Sequence, residues 1–73
     1  MTIIRDINGN RLTKTLQHAR NHAANITGAR QDSTGLWMID YTDAKETPYC
    51  AFIRPETPAE RAHVAVARRL TGN

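Results

Sequence analysis

Residues 35–53, GLWMIDYTDAKETPYCAFI, hold the only Trp, the only Phe, both Tyr and the only Cys of the chain. Two runs, residues 36–41 and 49–54, flank the polar TDAKETP and read as antiparallel strands, the second stopped by Pro55. Side chains alternate across a strand, so a sheet with one buried face needs only one apolar set. Here both sets are apolar. Trp37, Ile39 and Tyr41 alternate with Leu36, Met38 and Asp40, and Tyr49, Ala51 and Ile53 alternate with Cys50, Phe52 and Arg54.

Working outward, TIIRDI near the start is a β-branched run closed by NGN, a pair of residue types that accepts the positive φ of a tight turn. Its Asp-x-Asn-Gly string lacks the sixth-position Gly and twelfth-position Glu of a calcium loop. Leu16, Ala19, Ala23 and Ile26 then recur at helical spacing and predict a helix over residues 13–27, with Gly28 as its terminator. ARQD has the makings of a short strand, and DSTG is a turn by composition. On the C-terminal side, TPAERAHVAVARRLTGN opens with Thr57, Pro58 and Glu60, the residues of a capping box with Pro at the first helical position. Gly72 ends that helix. Its expected inner stripe is Ala59, Ala62, His63, Val66 and Leu70, with Val64 outward. The order β-α-(β)ββ-α predicts one α+β domain over residues 1–73, a small antiparallel sheet of three to four strands with two helices on one face.

Two Ala-lined helices cover only one face of such a sheet. The other is then left with large apolar side chains in water, the mark of a partner contact. The expected partner-binding surface is centred on Trp37, Ile39, Tyr41 and Tyr49, of types enriched at interface cores. The bland alternative is that the N-terminal strand or the chain ends fold over the second face. With 73 residues and 5% aromatics the core is modest, so a second copy of the chain would add useful burial, and homodimerisation is one expectation.

The net charge is +3, and eight of ten basic residues are Arg. Basic residues dominate positions 1–30, acidic ones 31–60, and Arg61, Arg68 and Arg69 close the chain. Arg54, Arg61, Arg68 and Arg69 form an expected basic face, suited to phosphates or to partner carboxylates. One Cys excludes an internal disulfide. The opening turns polar too early for a signal peptide, and no run has the length to cross a bilayer. A cytoplasmic protein is expected.

Little supports catalysis. His18 and His22, four apart, share a helix side but have no third ligand at local spacing, so no metal is expected. Cys50 and His63 could meet as nucleophile and base if both lay between sheet and helix, yet no oxyanion or phosphate-loop motif accompanies them. No cofactor and no enzymatic activity are expected.

Two resemblances follow from these elements. The order helix–strands–helix is similar to that of double-stranded-RNA-binding domains, although the last helix here begins TPAERA where that family begins with lysines. TKTLQHAR followed by TGLWMIDYTDAK, within residues 13–50, resembles small phage anti-CRISPR proteins. That resemblance implies a non-enzymatic phage or mobile-element inhibitor that docks on a host nucleoprotein complex. The alternative expectation is a small nucleic-acid-binding domain using the Arg face.

Overall fold

The computed structural model describes residues 1–72. Strand β1, Thr2–Asp6, is followed by helix α1, Leu16–Asn21, a 3₁₀ turn at Ala23–Asn25, strands β2, Ile26–Gln31, β3, Trp37–Thr42, and β4, Pro48–Ile53, and helix α2, Pro58–Thr71. The strands form one sheet in the order β1-β4-β3-β2, antiparallel at each pairing. This is the expected α+β architecture, with four strands.

Three turns share one chemical device. Asp6, Asp32 and Asp43 each accept, through one carboxylate oxygen, the backbone N–H groups two and four residues on, at 2.8–3.1 Å. The residue three positions after each Asp is left-handed: Gly9 at φ 84°, Gly35 at φ 93° and Glu46 at φ 63°. An Asp side chain that imitates a backbone turn and a residue tolerant of positive φ together set the register of the chain on either side. The first turn sends the chain back along β1, where the Leu12 N–H donates to the Ile4 carbonyl at 2.8 Å, so part of that sheet edge is occupied.

The first helix is shorter than its periodicity predicted. It stops at Asn21, and Ile26 and Gly28 belong to β2. Thr15 makes no side-chain cap bond, and β-branched Ile26 and Thr27 gain more by pairing with β3 than by extending a poorly capped helix. Gly28 is therefore no terminator. It sits at a register shift beside Asp40, where a Cβ would meet the Asp40 Oδ2 at 3.4 Å.

Helix α2 has the predicted ends. The Glu60 N–H donates to the Thr57 Oγ1 at 3.2 Å, and the Thr57 N–H donates to the Glu60 carboxylate at 3.1 Å. Gly72 closes the helix at φ 76°. Its inner stripe differs from expectation: Glu60, His63, Val64 and Ala67 are buried, while Ala62 is exposed and Leu70 is 55% exposed. Glu60 turns this stripe inward because its carboxylate receives the Thr2 hydroxyl at 2.7 Å and pairs with the amino terminus. Burial by itself raises the Glu60 pKa, but bonds from the amino terminus, Thr2 and Thr57 outweigh it and hold the carboxyl at about 2.

Candidate docking surface on the sheet

The pairing register sorts every strand residue onto one of two faces. Ile4, Ala51, Ile39 and Ala29 form a row across the middle of one face. Trp37, Ile53 and Tyr41 flank that row, and Ala19 of α1 with Val64 and Ala67 of α2 complete a common core. Small Ala29 and Ala51 let α2 approach closely.

This placement corrects the expected docking surface. Trp37, Ile39 and Tyr41 are 9%, 0% and 1% exposed, because they line the face that the helices cover. Tyr49 shares that face and is partly exposed beside α1, with its ring 5.9 Å from that of His18.

Among the described residues no helix covers the opposite face. Two rows cross it: Ile3, Phe52, Met38 and Arg30, then Arg5, Cys50, Asp40 and Gly28. Ile3, Phe52, Met38 and Cys50 are all partly exposed. Ile7, which continues the alternation of Ile3 and Arg5, is 75% exposed and borders the same face. Its groove measures about 500 Å³, with Arg5 and Ile7 on one side, Arg30 on the other and Cys50, Asp40 and Phe52 between them. The choice of covered face follows from charge. Packing helices over this side would bury Arg5, Arg30 and Asp40, whose desolvation costs several kcal/mol per ion by order of magnitude.

Electrostatically the open face is basic with an apolar floor. The Arg5 guanidinium lies 5.9 Å from the Phe52 ring centroid, within the range of a cation–π contact. Arg30 pairs loosely with Asp40 at 3.9 Å. Arg54, which alternates with the buried Ile53, is held at the end of the sheet by donation to the Thr34 carbonyl at 3.3 Å. Three guanidinium groups thus accompany one carboxylate on the face itself, Asp40, while Asp6 borders the groove and Asp32 lies within electrostatic reach of Arg54.

The expected basic ridge is divided accordingly. Arg54 belongs with the open sheet face. Arg61 and Arg68, seven residues apart, share one flank of α2, where Arg61 donates to the Glu56 carbonyl at 3.0 Å and Arg68 lies 5.6 Å over the Trp37 ring. Arg69 points to another side of the helix. Arg20, not singled out from the sequence, borders a shallow pocket with Ala62, His63 and Val66.

The remaining constellations lose their partners. Cys50 is on the open face, whereas His63 is buried under α2 at 3% exposure, so the sheet separates the two. Burial first, then the Asp40 carboxylate, pushes the Cys50 thiol up to about 12, far from the range of an activated nucleophile. His18 and His22 pack ring to ring at 4.5 Å and continue into Tyr41 and Tyr49. The Nδ1 of His22 is bonded to the His18 carbonyl at 2.9 Å. Among the described residues no three His, Cys, Asp or Glu side chains are grouped to hold a metal, and no helix is long and apolar enough to cross a membrane.

Compared with family models, with curated proteins and with solved structures, the chain matches none.

Proposed function

We propose that this chain is a small non-enzymatic binding protein whose contact surface is the helix-free face of its sheet. One observation carries this reading: Ile3, Met38, Phe52 and Ile7 lie on a face that no element of the described chain covers. An apolar surface of this kind is stabilised by a partner. The position of the surface is the reverse of the one expected from Trp37, Ile39 and Tyr41, but the kind of function is the same.

In its specific form the proposal is a cytoplasmic phage or mobile-element inhibitor that docks on a host nucleoprotein complex, as the resemblance to anti-CRISPR proteins implies. The residues that carry that resemblance include Ala19 and Trp37, which belong to the core, so they speak to packing and the docking residues must be sought on the other face. The test is a plaque assay in a bacterium whose RNA-guided immunity restricts a phage. Expression of the chain should restore plaques, and Phe52→Glu should abolish the effect while Ala65→Glu on the outer side of α2 leaves it intact. No restoration by the wild-type chain against a panel of such systems removes this form of the proposal.

A second reading rests on the helix layer. Arg20, Arg61, Arg68 and Arg69 are all exposed there, with exposed Ala62 and Ala65 among them, an arrangement that leaves phosphates sterically free access. Salt titrations against duplex DNA, duplex RNA and single strands decide it. Micromolar binding with a steep salt slope, lost in Arg61→Glu with Arg68→Glu, supports a nucleic-acid-binding domain.

A further inference from the structure

The shape and charge of the open face say which kind of partner fits it. We infer that the helix-free face of the sheet receives an amphipathic helix of a partner protein, with an aliphatic stripe flanked by carboxylates. The inference rests on the open face being the contact surface.

Geometry supplies the first part. Among the described residues the antiparallel sheet has helices on one side only, a stable two-layer arrangement in itself. A helix can therefore be laid across the bare side without displacing any described element. From β1 to β2 the face spans three interstrand steps, about 14 Å at the usual spacing, and a helix with its side chains is about 10–12 Å across. One helix fits, seated over Phe52 and Met38 on the two central strands. The groove between Ile7 and Arg30 adjoins this seat on the same face and shares Phe52 with it.

Charge supplies the second part. Arg5 is on one edge strand, Arg30 on the other and Arg54 at the end of β4, so the guanidinium groups straddle the apolar strip. Carboxylates on both flanks of an incoming helix would meet them in pairs, with the planar fork geometry that Arg prefers. A second copy of the chain is the poorer occupant. It would set three more guanidinium groups against these three, with Asp40 the one carboxylate on the face of each copy and the bordering Asp6 and Asp32 already engaged by the N–H groups of their turns. Single-stranded nucleic acid has matching charge but little to stack on, since among the described residues the register puts one aromatic ring, Phe52, on the face, and its other apolar groups are aliphatic or sulfur-bearing. Base stacking needs rings in series.

The test uses the whole chain and three probes: a helical peptide with a Leu stripe flanked by Glu, the same peptide with Lys for Glu, and a twelve-nucleotide oligothymidylate. Binding is read by NMR at the Met38 methyl and the Phe52 ring, with circular dichroism to confirm that every variant is folded. The Glu-flanked peptide should shift both signals and bind at least tenfold more tightly than the Lys-flanked one. Arg5→Glu, Arg30→Glu and Arg54→Glu combined should reverse that preference. Equal binding of the two peptides overturns the inference, as does a response to the oligonucleotide in place of the peptide; both leave the face as a docking surface. If no probe moves either signal and dilution does not change them, the docking surface itself is lost. Shifts that follow protein concentration alone identify a second copy as the occupant and overturn the acidic-helix inference.

Discussion

Single residues hold this fold at places where charge and backbone geometry meet. Glu46 occupies, at φ 63°, the position that Gly9 and Gly35 fill in the other two turns. A left-handed conformation costs a side-chain-bearing residue roughly 1–2 kcal/mol, part of which Gly returns as unfolded-state entropy. Glu46→Gly should therefore raise stability by about 0.5–1 kcal/mol, read as a higher urea midpoint at unchanged slope; a lower midpoint would show that Glu46 makes contacts of its own. Histidines act on stability through pH. Burial, then Arg20, lowers the His63 pKa, and burial, Lys14 and His22 lower that of His18. Both therefore bind protons less readily in the fold than when unfolded. The unfolded chain thus takes up protons first as pH falls below about 6.5, and stability should drop from there toward the lower folded values. The urea midpoint at pH 5.5 should lie below that at pH 7.5, with a smaller difference in His63→Gln. A midpoint that rises on acidification contradicts the buried placement. A second decline begins below pH 4.5, the ordinary value for Glu60, and continues toward about 2. Asp6, Asp32 and Asp43 share that limb, since hydrogen bonds at their turns lower all three.

At the scale of elements, α2 separates what the sequence could say from what it could not. Its cap residues act locally, so Thr57, Pro58, Glu60 and Gly72 were legible without the rest of the chain. Its inner stripe was not. The spacing of Ala59, Ala62, His63, Val66 and Leu70 is a sound helical pattern, but the helix is rotated by a partner from the other end of the chain, the Thr2–Glu60 bond. Val64→Ala should cost about 2 kcal/mol, as expected for shortening a side chain that is 5% exposed. Leu70→Ala should change stability by less than about 0.5 kcal/mol. The reverse order in thermal unfolding would restore the stripe predicted from periodicity. Strand β2 shows the same limit. Residues 26–28 carry a helical stripe into a segment whose conformation is decided by pairing with Tyr41 and Asp40, and no local signal announces a long-range pairing. The two faces of the hairpin were closer to legible. Asp40 shares one face with Met38 and Phe52, and a carboxylate weighs more against burial than a few extra methylenes weigh for it. Giving that charge its full cost points the Trp37 face inward.

For the whole molecule, the consequence is a two-layer protein whose sheet is left without a helix on its second face among the described residues. The helix side carries the core and the outward arginines of α1 and α2; the sheet side carries an apolar floor between Arg5, Arg30 and Arg54. The proposed binding function and the helix-shaped partner both depend on this asymmetry. Neither depends on Trp37, so Trp37→Phe should weaken folding without selectively removing activity, while Phe52→Glu should leave the melting temperature within a few degrees and remove binding. Equal loss of activity in both at matched stability would separate function from the open face.

The asymmetry itself is measured most directly by NMR side-chain accessibility with a neutral, water-soluble paramagnetic agent. The Met38 methyl and Phe52 ring should relax strongly, and the Trp37 indole and Tyr41 ring should be protected. Protection of Met38 and Phe52 in the isolated monomer, with strong relaxation at Trp37 and Tyr41, would contradict the account.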